Sequence, residues 1–135
     1  DFLTKHIDQW LNRLKLDFSR SHEKLFVAGT GGTVTTLALM VKGTPAEDAF
    51  VESVGGMRLT RQRVEALFLK MKAMCTEERL ILPGLDEGRV SIILAGCLVV
   101  MRILHFVKVH YLTVSVSSLL EGILLNQLEG NQNAK

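Results

Sequence analysis

A run of glycines and threonines between two apolar segments is the feature that most constrains this chain. Residues 25–28 predict a short buried strand, and residues 34–40 predict the beginning of an apolar helix. The glycines remove side chains from the turn between them, so a ligand can approach the backbone closely. Free N–H groups at a helix start attract anions, above all phosphate. The candidate phosphate-binding residues are Gly29, Thr30, Gly31, Gly32 and Thr33.

The spacing of this turn separates it from two common phosphate loops. Its order is Gly-x-Gly-Gly, and Val34 stands where a dinucleotide-binding fingerprint needs its third glycine. No Gly-Lys-Ser/Thr follows, which excludes a Walker A loop. From the pattern alone, a strand-to-helix turn without any ligand stands beside the phosphate site as an equal alternative.

Composition and charge narrow the class of protein. A chain of 135 residues fits one domain, and 47% apolar with 22% charged residues is ordinary for a globular protein. A net charge of +2 is too small to predict a nucleic-acid surface. Cys75 and Cys97 form no disulfide framework and have no metal-ligand spacing, which fits a reducing cytosol.

The chemistry-bearing residues form no recognisable catalytic pattern. The histidines show no ligand spacing, and neither a nucleophile–base pair nor a pair of carboxylates stands out. The sequence therefore predicts no catalytic residue and no metal ligand within this chain. Cys97 lies in an apolar run and is predicted to be a small buried hydrophobe.

Residues 90–107 are the most apolar stretch and raise the question of a membrane span. They number 18, near the lower limit for crossing a bilayer. Arg102 and His105 interrupt them, and an arginine at the membrane centre costs about 2.5 kcal/mol or more. A buried core helix explains the run without this cost, so we predict no membrane contact. The charged, amphipathic N-terminus carries no secretory signal, and we expect a cytoplasmic protein.

The order of the predicted elements favours an α/β fold. Helices are predicted at the N-terminus through Phe18, after the N-cap Thr60, and at residues 119–128, with strands at residues 25–28 and 111–115. Strands that alternate with helices are typical of parallel pairing. Two strands make an incomplete, mainly parallel sheet whose edges need covering. The chain opens without methionine inside a helical pattern, so we expect a fragment of a longer protein.

Four motifs in sequence order resemble one phosphatase family. The stretch Ala-Gly-Thr-Gly-Gly-Thr at residues 28–33 is similar to a stretch of the exopolyphosphatase/guanosine pentaphosphate phosphatase (Ppx/GppA) family. The other motifs follow in register within residues 25–125: Gly56-x-x-Leu59-Thr60; Thr76-x-Glu78-Arg79 with Pro83-Gly84-Leu85 and Arg89-x-x-x-Ile93-x-Ala95-Gly96; and Leu112-Thr113-Val114-Ser115 with Leu119-x-Glu121-Gly122. One motif is weak evidence, whereas four in register identify the family.

The resemblance implies a helix-rich part of a ribonuclease H-like domain of the actin, sugar-kinase and heat-shock ATPase superfamily. Such phosphatases remove terminal phosphates from inorganic polyphosphate or guanosine pentaphosphate with magnesium, in a cleft between two domains. Residues 1–129 would form the C-terminal part of the second domain, and residues 130–135 a disordered tail. The catalytic glutamate and the magnesium ligands would lie upstream, outside this chain. The implied partners are the substrate, the missing upstream domain and a second copy in a homo-oligomer.

The chain departs from the family pattern at four positions. Ser91 stands where the family usually has an aspartate two residues after the arginine matched by Arg89. Near the C-terminus, an aspartate, a glycine and an arginine of the family are replaced by Val116, Ser118 and Leu120. These exchanges imply an altered substrate preference or a weakened enzyme.

Two other functions are open at the level of sequence. An ATPase or phosphotransferase of the same superfamily would use the turn for an adenine nucleotide. A non-catalytic interaction or dimerisation module would explain the polar residues lost near the C-terminus.

Arg89 and Glu121 are weaker site candidates. An arginine near a helix start more often packs or faces solvent, and a glutamate there more often caps the helix.

Overall fold

Short strands alternate with longer helices along the chain. The computed structural model describes residues 2–14, 25–45 and 48–132. Two short 3-10 helices, Val51–Val54 and Glu87–Arg89, lie between the main elements. The main elements, in chain order, are α1 (Phe2–Arg13), β1 (Ala28–Gly29), α2 (Gly32–Lys42), β2 (Arg58–Thr60), α3 (Arg61–Lys72), α4 (Thr76–Leu80), α5 (Ile93–Phe106), β3 (Tyr111–Val114) and α6 (Leu119–Gln132).

The strands form one mixed sheet in the order β1-β3-β2. β1 is parallel to β3, with Ala28 opposite Thr113. β2 is antiparallel to β3, with Leu59 opposite Leu112. The prediction of a mainly parallel sheet is therefore wrong, because one of the two pairings is antiparallel. The α/β class and the helix-rich architecture are confirmed.

Strand β2 lies in a part of the chain where the sequence analysis predicts no strand. The chain forms the 3-10 helix Val51–Val54, turns at Gly55 and Gly56, and then enters β2. The N–H of Gly56 donates to the carbonyl of Val114 at 2.8 Å, which places the turn against the end of β3. β1 is also shorter than predicted, since only Ala28–Gly29 are paired as a strand.

Helix α2 lies at the centre of the core. All residues from Val34 to Met40 are buried, and α2 contacts β2, β3, α3 and α5. α5 approaches the start of α2 closely at Gly96, where a Cβ would lie 2.7 Å from Cγ2 of Thr33. The absence of a side chain at Gly96 thus allows the two helices to approach each other. The apolar run at residues 90–107 folds as the 14-residue α5, and no helix of the described residues is long and apolar enough to cross a membrane.

Helix α1 is held on α5 by an ion pair. Arg102 donates from Nε and Nη2 to the two carboxylate oxygens of Asp8, at 2.7 and 2.8 Å. Ile7 is buried, whereas Trp10 and Leu14 of the same amphipathic segment are 57% and 56% exposed. The predicted continuation of this helix to Phe18 lies outside the described residues.

The helix ends agree with the sequence in part. The Thr60 hydroxyl accepts from the N–H of Arg63 at 3.3 Å, which confirms the predicted cap of α3. The N-cap of α4 is Cys75, whose N–H donates to the carboxylate of Glu78 at 2.7 Å. α6 continues to Gln132, so residues 130–132 of the predicted tail are helical.

We expect the isolated chain to self-associate at micromolar concentration, because a strand edge and an apolar helix surface are uncovered in its described part. β1 lies at the sheet edge, and α6 carries large apolar side chains that are 47–80% exposed: Leu119, Leu120, Ile123, Leu124, Leu125 and Leu128. Sedimentation velocity should show dimers or larger species. Leu124→Glu with Leu128→Glu should shift them toward monomer, and Gln127→Glu on the same helix should not. A monomeric wild-type chain would contradict the expectation.

Candidate functional site

The candidate site lies where the two parallel strands end. The N–H of Thr113 donates to the carbonyl of Val27, and that of Ser115 donates to Gly29, both at 2.8 Å. The glycine turn after β1 therefore lies beside residues 115–118 after β3, and the Thr30 hydroxyl donates to the Ser117 carbonyl. Ligands of open α/β sheets bind outside the carboxyl ends of the strands, which is the position of this turn.

The turn presents backbone N–H groups to open space. Gly31 has φ 90° and ψ 169°, a conformation that essentially only glycine adopts, and a Cβ there would have no atom within 4 Å. The hydrogen bond from Thr35 N–H to the Gly31 carbonyl, at 3.1 Å, is where the helical ladder begins. The preceding N–H groups, at residues 32–34, have no intrahelical acceptor and are free for an anion.

The carbonyls of Gly31 and Gly32 are hydrogen-bonded within the first turn of α2. The Thr35 hydroxyl donates to the carbonyls of Gly31 at 3.3 Å and Gly32 at 3.2 Å. Their negative partial charge is thereby satisfied within the helix. The open side of the turn is electropositive as a result, since the helix dipole adds to the free N–H groups.

Arg89 places a full positive charge on the turn. A Cβ at Gly32 would lie 2.1 Å from Nη1 and 2.3 Å from Nη2 of Arg89, so the guanidinium rests directly on this glycine. Arg89 is half-buried, and within the described part of the chain no acceptor or carboxylate pairs with its guanidinium. The 3-10 helix Glu87–Arg89 that carries it is capped by Asp86, whose Oδ1 accepts from the N–H of Gly88 at 2.9 Å.

The five predicted phosphate-binding residues are not equally accessible to a ligand. Gly31 and Gly32 form the open turn, and Thr30 is tied to Ser117 by its hydroxyl. Gly29 lies beneath the turn, where a Cβ would be 3.0 Å from Leu112. The Thr33 side chain lies against Gly96 of α5, so its backbone N–H and not its hydroxyl is the group available to a ligand.

The four residues that depart from the family pattern do not cluster at the glycine turn. Each has a different place in the structure. Val116 packs near Gly55, where a Cβ would lie 3.3 Å from Cγ2 of Val116. Ser91 lines a separate cavity with Leu3 and Phe68, and Leu120 is 65% exposed. Ser118 caps α6, because its N–H donates to Oε2 of Glu121 at 2.8 Å and its Oγ accepts from the N–H of Leu120 at 3.3 Å.

The remaining titratable groups offer no second centre. In residues 2–14, 25–45 and 48–132, no three histidine, cysteine or carboxylate side chains are placed to hold a metal ion together. Cys97 is buried as predicted, its Sγ lies 3.3 Å from the Val64 carbonyl, and burial raises the pKa of its thiol to about 12. Such a thiol stays protonated and is a poor nucleophile.

Glu121 should titrate below the ordinary range for a glutamate. Hydrogen bonds from the Ser118 hydroxyl and from backbone N–H groups lower the pKa of its carboxyl. Because the folded pKa lies below the unfolded one, the contribution of these bonds to stability is complete above the unfolded pKa of about 4.3 and is lost as pH falls through the folded pKa. An NMR titration should show that Ser118→Ala raises this pKa. The control Ser117→Ala should leave it unchanged, and an unchanged pKa in Ser118→Ala would contradict the cap.

Comparison with known proteins gives one family. The profile of the Ppx/GppA phosphatase family matches residues 1–131. No curated protein sequence matches the chain. The Aquifex aeolicus Ppx/GppA family member is similar over 96% of this chain and 40% of its own, with a TM-score of 0.80 and 26% identity. An exopolyphosphatase from Cytophaga hutchinsonii is similar over 96% and 41%, with a TM-score of 0.76 and 26% identity.

The match extends to the architecture of these structures. An exopolyphosphatase-like protein with 22% identity has the same fold, with a TM-score of 0.78 over 94% of this chain and 42% of its own. The chain spans about two fifths of the length of the solved structures that it matches. With the family profile covering residues 1–131, the chain belongs to the Ppx/GppA phosphatase family.

Proposed function

We propose that this chain holds phosphate groups for a Ppx/GppA phosphatase, at the glycine turn and Arg89. The observation that carries the proposal is the guanidinium of Arg89, which is half-buried, rests on Gly32 and has no partner in the described part of the chain. A partly desolvated cation without a counter-ion is costly, and an anion at the turn would remove that cost. Phosphate also matches the fork of N–H donors that a guanidinium presents.

The proposed role in the reaction is positioning and charge stabilisation. Phosphoryl transfer needs little covalent chemistry from the protein and depends mainly on holding the phosphates and stabilising their charge. The N–H groups at residues 32–34 and the Arg89 guanidinium would hold the phosphate chain. A glutamate from the upstream domain would activate the attacking water, since the sequence predicts no catalytic residue within this chain.

The domain assignment is part of the same proposal. Residues 1–129 would be the C-terminal part of the second ribonuclease H-like domain, and the upstream domain would form the facing wall of the cleft. The mixed sheet with β1 at its open edge supports this, because further strands can pair beside β1. Solved relatives about two and a half times as long leave room for such strands and for a second domain.

Magnesium would be held outside the described part of this chain. Magnesium prefers carboxylate, water and phosphate oxygens, and no group of three possible ligands comes together in the described residues. When bound to the parent enzyme, magnesium would neutralise phosphate charge. The residues of this chain would contribute the hydrogen bonds and the guanidinium described above.

The proposed substrate class is a terminal phosphate of inorganic polyphosphate or of guanosine pentaphosphate. The Cytophaga hutchinsonii relative carries the name exopolyphosphatase, which supports a substrate with a chain of phosphates. The family membership favours this phosphatase over an ATPase or phosphotransferase that uses the same turn. We also propose a cytoplasmic location and a homo-oligomer for the parent enzyme.

Calorimetric titration of this chain with tripolyphosphate tests the site. Gly31→Val forces a branched residue to φ 90°, and Arg89→Gln removes the cation, so each should weaken binding tenfold or more, about 1.4 kcal/mol. Gly56→Val is the matched control for Gly31→Val, because Gly56 also has a positive φ of 76° with open space around it. Arg58→Gln is the control for Arg89→Gln. Unchanged affinity in both site variants would make the turn purely structural.

The chain alone should release no phosphate from polyphosphate, because it supplies neither a catalytic carboxylate nor a metal-binding cluster in its described residues. The measurement is phosphate release by the purified chain with magnesium, with the full-length parent as the positive control. Turnover at enzyme-like rates by the chain alone would contradict the assignment of the chemistry to the upstream domain.

A further inference from the structure

The cavity that Ser91 lines lies where four helices meet. It has a volume of about 320 Å³. Its lining residues come from α1, α3, α4 and α5 and from the segment before α5, and none of them belongs to the glycine turn. The proposed phosphate site does not use this cavity, so a ligand bound here would be additional to the phosphates.

The larger part of the cavity lining is apolar and only partly covered by the fold. Five apolar residues contribute to it: Leu3, Phe68, Leu94, Ala95 and Leu98. Leu98 is buried, Phe68 and Leu94 are half-buried, and Leu3 is 37% exposed. A ligand with an apolar body would therefore remove water from side chains that the protein itself leaves partly wet, and this burial favours binding.

The polar part of the lining carries positive charge. It consists of Lys72, Arg79 and Ser91, and no carboxylate is among the lining residues. Arg79 is fixed in place, because its Nε donates to the Met71 carbonyl and its Nη2 to the Met74 carbonyl, both at 2.8 Å. The other N–H groups of its guanidinium can donate to an anion. Lys72 is exposed and forms no ion pair with any residue that the structure describes.

These two properties of the lining select one class of ligand. Lys72 and Arg79 would repel a cation, and a polyanion has no apolar surface to place against Phe68 and Leu94. A neutral apolar molecule would bring Lys72 no counter-ion. A carboxylate on an apolar body meets both requirements, because it accepts charge-assisted hydrogen bonds from an ammonium or a guanidinium group. The volume lies at the lower end of the usual range for ligand pockets, about 300–1,000 Å³, which favours a small molecule.

We propose that this cavity binds a small organic acid that has one carboxylate and an apolar body. Lys72 and Arg79 hold the carboxylate, and the apolar body contacts Phe68 and Leu94. The Ser91 hydroxyl adds a hydrogen-bond donor without adding negative charge. The inference is independent of the proposed phosphate site, since the two share no residue.

Calorimetric titration of this chain with octanoate tests the inference, with 1-octanol as the neutral analogue of equal chain length. Octanoate should bind at least tenfold more tightly than 1-octanol, because only octanoate supplies a counter-ion. Lys72→Gln should weaken octanoate binding about tenfold and leave 1-octanol binding unchanged. Ser91→Asp, which restores the residue that the family usually has here, should also weaken octanoate binding about tenfold through charge repulsion.

Two variants are the matched controls. Lys70→Gln removes a lysine of the same helix that does not line the cavity, and Ser91→Asn has the size of Ser91→Asp without its charge. Both should bind octanoate as the wild-type chain does, and circular dichroism checks that each variant is folded. Absence of octanoate binding would overturn the inference. Octanoate binding that is unchanged in Lys72→Gln and Ser91→Asp would place the acid elsewhere, such as on the exposed leucines of α6, and would also overturn it.

Discussion

The parallel pairing of β1 with β3 is the constraint on which the rest of the site depends. Two hydrogen bonds of 2.8 Å, from Thr113 to Val27 and from Ser115 to Gly29, join segments that are more than eighty residues apart in the chain. They bring the glycine turn beside the start of α6 and place α2 across the core. All other helices and strands except α1 and α6 lie between β1 and β3 in the sequence. Loss of the pairing would therefore separate the glycine turn from residues 115–118.

The electrostatics of the site follow from one missing side chain. Because Gly32 has no Cβ, the Arg89 guanidinium can rest on the helix start at a distance that any other residue would forbid. Positive charge, helix dipole and free N–H groups then coincide, and the turn carbonyls are occupied by Thr35. In the proposed function this arrangement is pre-organised for an anion, which is how proteins stabilise phosphate charge without reorganisation during the reaction.

The sequence predicts local features of this molecule better than long-range ones. The glycine turn, the central helix after it, the Thr60 cap and the capping role of Glu121 follow from short patterns, and the structure has them. Strand β2 could not be predicted from such patterns. Three residues are too few for a strand signal, and their pairing depends on β3, which is distant in the sequence. The position of Arg89 and the orientation of Thr33 toward Gly96 also depend on tertiary structure and cannot be predicted from local patterns. Each is set by the packing of α5 on α2.

A crystal structure of this chain with tungstate, an electron-dense mimic of phosphate, tests the central claim most directly. Anomalous scattering would locate the ion without ambiguity. The account predicts tungstate at the open face of the turn, within hydrogen-bond distance of N–H groups at residues 32–34 and of the Arg89 guanidinium. Tungstate bound only elsewhere on the protein, with Arg89 still resting unpaired on Gly32, would contradict it.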